Sequence, residues 1–308
     1  MGKASRDSFG QAITELGADP RVVVLDADLS KSTKSALFAK RYPERFFNLG
    51  ITEANMIGTA AGLALCGKIP FACSFACFLT GRYDQIRVSV GYSDANVRLV
   101  GTHAGVAIGE DGYSQQGLED VATLRSLPNM AIVQPADHRE TVAAVRYLVE
   151  KHIGPAYLRL TRQNLDDVHD DSYAFRFGGG DRLRSGGDLT LAATGGVVAG
   201  ALRAAERLAA EGIQADVINF PTLSPFDGAM LVESARRTGR VVTVEDHSVR
   251  GGLGSAAAEA LAEAAAPARL RRIGMSDYGE SGTPAALYRK FALDTDGIHA
   301  TIREWLVK

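Results

Sequence analysis

No stretch of the 308-residue chain is apolar for long enough to span a bilayer, which takes about 20 residues. Its first ten residues are polar and mixed in charge, unlike a secretion signal. Cysteine is scarce. Cys66, Cys73 and Cys77 are odd in number and clustered, which argues against a disulfide framework, and no histidine lies near Cys73 and Cys77 to complete a metal site. Buried reduced thiols and a cytoplasmic setting are expected. Excess charge is also missing: a net charge of −2 makes a nucleic-acid or acidic-membrane surface a poor expectation. No internal repeat or low-complexity segment stands out beyond local alanine enrichment. What is present is 46% hydrophobic and 23% charged, the balance of a folded globular chain with length enough for two domains.

The patterning is that of an α/β protein. Residues 6–16 carry Phe9, Ala12, Ile13 and Leu16 at helical spacing, with Gly17 as a stop. Residues 21–25 suit a strand buried on both faces, and Asp26 and Asp28 leave its carboxyl end, where such sheets place ligands. Further strands are expected at 68–75, 97–100, 130–134 and 156–160, with helices at 83–90 and 139–149. The rhythm lapses between 165 and 187, where Asp166, Asp167, Asp170 and Asp171 precede Gly178-Gly179-Gly180 and Gly186-Gly187. It then resumes, with strands at 188–193, 215–220, 240–244 and 270–275 and helices at 198–210, 224–238, 255–265, 284–291 and 298–307. Two domains are predicted, each a largely parallel sheet flanked by helices: 1–178 and 188–308, joined by a Gly-rich linker over 179–187.

Chemistry is expected in a few places. In Phe47-Asn48-Leu49-Gly50-Ile51-Thr52-Glu53-Ala54-Asn55, Glu53 sits where a strand-like segment gives way to a helix that looks too apolar for a surface. It is either an acid offsetting a helix dipole or a buried acid with a job. Phe75 and Phe78 are spaced to offer two ring faces to one flat ligand, or to fill a core. The loop 101–116 is long and glycine-rich, with His103 as a proton shuttle or phosphate donor beside Asp111 and Gln115. Arg162 could grip a carboxylate or phosphate, or pair with the linker aspartates. Gly251-Gly252-Leu253-Gly254-Ser255 weakly suggests a phosphate cradle.

Taken together, the Phe47–Asn55 stretch, Ser74-Phe75 with Phe78, Gly109-Glu110-Asp111-Gly112, Arg125-Ser126-Leu127-Pro128-Asn129, Gln134-Pro135-Ala136-Asp137 and Thr161-Arg162-Gln163-Asn164 resemble, in order, the C-terminal portion of thiamine-diphosphate-dependent transketolases. The resemblance implies a pyrimidine-binding domain, then a transketolase C-terminal domain, and transfer of a ketol unit from a ketose to an aldose. It implies that Glu53 activates the cofactor through an aminopyrimidine nitrogen, that Phe75 and Phe78 pack on that ring, and that Asp28 lies near it. It further implies that His103, Arg162 and Ser32 hold the substrate and its phosphate, that Asp111 meets a substrate hydroxyl, and that Gln115 stands where many members place a catalytic histidine.

Two departures shape the expectation. Gly81 replaces a tyrosine that some transketolases stack on the cofactor, and the family's Gly-Asp-Gly motif for diphosphate and Mg²⁺ is not in the sequence. A separate N-terminal subunit is therefore expected to hold those groups, in a two-plus-two heterotetramer, and a start close to the first helix of the domain fits a naturally split enzyme. The alternatives on the same scaffold are the beta subunit of a 2-oxoacid dehydrogenase, a deoxyxylulose-phosphate-synthase-like enzyme, or a catalytically silent regulatory paralogue.

Overall fold

A run of valine and leucine satisfies a strand covered by helices on both faces. In the computed structural model, which describes residues 2–307, that run is β1 (Val22–Asp26), buried throughout. Its alternate side chains divide the core. Val22 and Val24 join Phe9, Ile13 and Phe71 on one face, whereas Val23 and Leu25 join Met56, Ile57 and Leu99 on the other.

Around β1 lie β2 (Phe46–Asn48), β3 (Ile69–Phe75), β4 (Arg98–Thr102), β5 (Ala131–Val133) and β6 (Ala156–Arg159), all parallel. The second sheet starts with β7 (Asp181–Arg184), β8 (Leu189–Ala193) and β9 (Ala215–Asn219). After β10 (Thr222–Ser224) it ends with β11 (Arg240–Ser248) and β12 (Arg269–Met275). The spatial orders are β10-β5-β6-β4-β3-β1-β2 and β12-β11-β8-β9-β7. Among the described residues no helix is long and apolar enough to cross a membrane.

The structure differs from the sequence reading at several elements. The stretch 179–187, read as linker, contains β7, which pairs antiparallel with β9 at the edge of the second sheet. Its residues are all half-buried, so no apolar signal betrays it. The helix expected over 224–238 begins at Gly228, because Pro225 favours extended backbone before it and Asp227 caps the helix by accepting from the Met230 amide. The freed Thr222–Ser224 is β10, which pairs antiparallel with β5 and so ties second-domain sequence into the first sheet. The helix expected over 83–90 is one α-turn followed by a π-helical stretch, Ile86–Tyr92.

The glycines before helix Leu253–Glu263 form no open phosphate cradle. Glu245 fills that helix start, accepting from the Leu253 amide at 2.7 Å and the Gly254 amide at 2.8 Å. The N-terminal positive end is thus met by an internal carboxylate.

Candidate active site

From β1 the chain passes to β2 on one side and then to β3 on the other, and open α/β sheets bind ligands where the order reverses. There, at the carboxyl ends of β1 and β3, lies a cavity of about 610 Å³ lined by Asp28, Ile51, Glu53, Cys77, Phe78 and Gly81, among others. Glu53 is the first residue of helix Glu53–Leu65 and is only 5% exposed. Ser74, near the end of β3, donates to its Oε1 at 3.1 Å, the one side-chain hydrogen bond that Glu53 accepts among the described residues. A hydroxyl in an otherwise apolar strand needs such a partner.

The helix itself is not covered all round. Ala54, Asn55, Gly62 and Leu65 are exposed, so its small residues leave one face bare along the helix. Asp28 stands at the cavity rim with φ of 65°, held by Asn48: its amide donates to Asn48 Oδ1 at 3.1 Å and its Oδ1 accepts from Asn48 Nδ2 at 3.2 Å.

Phe75 and Phe78 do not form a slot. Their rings stack 5.5 Å apart at 13°, too close to admit a ligand between them. Phe78 lines the cavity, while Phe75 is buried behind it with the His103 imidazole stacked 3.8 Å away. The order Phe78, Phe75, His103 therefore runs from the cavity towards a cluster of positive charge.

In that cluster Arg6 donates from one Nη1 to His103 Nε2 at 2.8 Å and to the Ser32 carbonyl at 3.1 Å. A guanidinium only donates, so Nε2 is the acceptor and Nδ1 carries the proton, which it donates to Thr102 Oγ1 at 2.8 Å. Both ring nitrogens are engaged within the protein. Burial, reinforced by the charges of Arg6, Arg162 and Lys34, lowers the His103 pKa to about 3. The imidazole is therefore neutral at working pH and holds Arg6 rather than shuttling a proton. The Nε of Arg6 is buried with no hydrogen-bond partner among the described residues.

Arg162 donates to the Ile108 carbonyl at 2.7 Å and lies 3.7 Å from both Glu110 and Asp111. The linker aspartates are taken by others: Asp166 by Arg203, Asp167 and Asp171 by Arg139. Gln115 is half-buried. Its carbonyl accepts from the Cys77 thiol at 3.3 Å, and its side-chain amide makes no hydrogen bond among the described residues. Arg159 stays in the core, paired with Asp120 at 2.7 Å. Among the described residues no group of three or more His, Cys, Asp or Glu side chains is arranged to hold a metal ion.

Residues 2–167 match the transketolase pyrimidine binding domain and residues 178–298 the transketolase C-terminal domain. The chain belongs to the transketolase family. It is 43% identical to a 6-deoxy-6-sulfo-D-fructose transketolase subunit of Clostridium sp., over 94% of this chain and 90% of that protein. It is 35% identical to an apulose-4-phosphate transketolase subunit of Actinobacillus succinogenes, over 90% of each. A solved structure described as a split gene transketolase, inactive beta4 tetramer, matches with a TM-score of 0.89 at 46% identity, covering 99% of this chain and 98% of that one. This transketolase chain is thus similar to subunit-length relatives over nearly their whole extent.

Two residues of the site escaped the sequence reading. Arg6 lies in the first turn of helix Ser5–Leu16, where a cation opposes the helix dipole, and that misfit was the available signal. Ser74 was visible only as part of a motif; its role depends on Glu53 arriving from a separate helix.

Proposed function

We propose that this chain is the pyrimidine-binding, C-terminal subunit of a two-chain transketolase, moving a two-carbon ketol unit from a ketose to an aldose. The observation that carries the reading is a chain of contacts: Glu53 and Phe78 line the cavity, Phe75 stacks on Phe78, and His103, bonded by Arg6, stacks on Phe75. The cavity suits the aminopyrimidine of thiamine diphosphate, with Phe78 as an aromatic wall and Glu53, oriented by Ser74, as the acid for a ring nitrogen. When bound, that cofactor supplies a nucleophilic carbon and an electron sink for the ketol unit. Glu53 shares a proton with the ring, and Phe78 keeps water from the ring face.

Arg6 and Arg162 hold the oxyanion end of the sugar through their guanidinium groups. Ser32 supports Arg6 through its carbonyl. Asp111 accepts from a sugar hydroxyl. Gln115 donates an amide N–H to a carbonyl oxygen and cannot relay a proton. The guanidinium cluster accepts phosphate or sulfonate alike, and the names of the two relatives support both. Diphosphate and Mg²⁺ fall to an N-terminal transketolase subunit in a two-plus-two assembly, since the Gly-Asp-Gly motif is not in this sequence. A cytoplasmic setting is part of the same reading.

The test is to co-purify this chain with the one encoded beside it and assay ketose donors that carry a terminal phosphate or sulfonate. Glu53→Gln should lower kcat by roughly 10²- to 10⁴-fold, the range for a positioned proton-transfer group. Turnover unchanged by that substitution would defeat the mechanism, and decarboxylation of a 2-oxoacid in place of ketol transfer would point to the dehydrogenase branch.

A further inference from the structure

The loop 105–117 carries Asp111 and Gln115, yet its two ends are held from the second domain. At the first end, Asp246 of β11 accepts the Val106 amide on Oδ1 at 2.9 Å. Gly105, with φ of +84°, packs so tightly there that a Cβ would lie 2.1 Å from Asp246 Oδ2. Any side chain would push the loop off the carboxylate. At the other end, Gln116 donates from Nε2 to the Glu280 carbonyl at 3.0 Å and back to the Val106 carbonyl at 3.3 Å. A Cβ on Gly279 would fall 1.7 Å from Gln116 Oε1, so the second-domain segment touches this amide directly.

Tyr288, from helix Pro284–Lys290, closes the arrangement. It donates to Asp246 Oδ2 at 2.9 Å and accepts from Gln163 Nε2 at 2.9 Å, one residue beyond Arg162. Asp246 is only 2% exposed; its Oδ1 is engaged across the domain boundary by Val106, and its Oδ2 holds Tyr288, which reaches across to Gln163. A buried carboxylate is costly unless bonded in this way. Here its bonds lead to the loop and to the Arg162 segment, not to its own sheet.

We propose that Asp246 and Tyr288 are positioning residues, by which the C-terminal domain sets Asp111, Gln115 and Arg162 in register for the sugar. The inference rests on the transketolase reading above for what those three groups hold. Neither Asp246 nor Tyr288 touches substrate; both act through the loop and through Gln163.

Tyr288→Phe keeps the ring packing and removes the single hydroxyl, and Gly279→Ala perturbs the far end independently. Amide hydrogen exchange of the full-length chain should speed up roughly tenfold in Tyr288→Phe, the scale of one lost buried hydrogen bond, with the increase confined to 105–117 and 161–163. In the reconstituted holoenzyme the same variant should raise KM for the sugar donor several-fold and leave the thiamine diphosphate concentration needed for half-activation unchanged. Gly279→Ala should give the same pattern from the Gln116 side. Exchange unchanged in 105–117, or raised throughout the second domain, would overturn the proposal. If the wild-type holoenzyme turns over no ketose, the functional reading fails while the exchange experiment still decides whether the brace exists.

Discussion

Arg6 and His103 show how one contact settles chemistry that residue type leaves open. The guanidinium donates to Nε2, and burial, with three nearby cations, keeps the ring neutral down to about pH 3. A folded pKa that far below the usual 6.5 means that His103 carries no charge change between pH 5 and 8. We expect the pH profile of kcat/KM to have the same shape in wild type and His103→Asn over that window, even where the absolute rate falls. A limb that vanishes in the variant would restore a proton-shuttle role. Arg6→Gln should raise KM for a phosphorylated or sulfonated ketose about 10- to 100-fold, the worth of one charge-assisted hydrogen bond. Steady-state kinetics with an uncharged ketose supply the control, and an equal loss there would rule out an anion contact.

The segment that leaves the first domain is fastened by a buried imidazole. His169 bonds Asp137, the cap of helix His138–Glu150, through Nδ1 at 2.9 Å, and its Nε2 lies 3.2 Å from Asp181 of β7. Glu140, bonded to Tyr173 and to Asn219 of β9, completes the cluster. Burial alone would lower the His169 pKa, but the hydrogen bond to Asp137, the Asp181 carboxylate beside Nε2 and the charge of Glu140 outweigh it and raise the value to about 10. A folded pKa above the unfolded 6.5 means that this stabilisation is fully present below pH 6.5 and is lost as pH climbs through 10. Urea unfolding should therefore show stability falling between pH 7 and 10 by on the order of a few kcal/mol. His169→Asn should flatten that slope, and an equal slope in the variant would place its origin elsewhere.

At the scale of the molecule, apolar surface is left bare at the far end of the helix that Glu53 starts and on its packed neighbour. Leu65 is 70% exposed on helix Glu53–Leu65; the packed neighbour Ile86–Tyr92 exposes Val88 at 54% and Tyr92 at 90%. Val88, Tyr92, Leu127 and Pro128 also line a groove of about 600 Å³. Exposed apolar surface of this kind on a globular chain marks an interface. We expect the isolated chain to self-associate through it, with sedimentation velocity showing species larger than a monomer that Tyr92→Glu shifts towards monomer. A monomeric wild type at tens of micromolar would place the interface elsewhere.

Residue pattern alone determined the two largely parallel sheets, because runs such as Val22–Leu25 bury both faces wherever they fold, and it marked Glu53 as an acid in small-residue surroundings. It also placed His103, Asp111, Gln115 and Arg162 as candidates. Tertiary structure decided what they do together. Ser74 meets Glu53, Arg6 meets His103 from 97 residues away, and Asp246 meets Val106 from 140 residues away, none at a local spacing that a sequence displays. The edge strands β7 and β10 were hidden for a related reason: they are short, β7 is only half-buried, and their pairing partners lie far along the chain or in the other domain's sequence. Local pattern reports which side chains a segment must bury, whereas hydrogen-bond partners are chosen by how the segments finally pack.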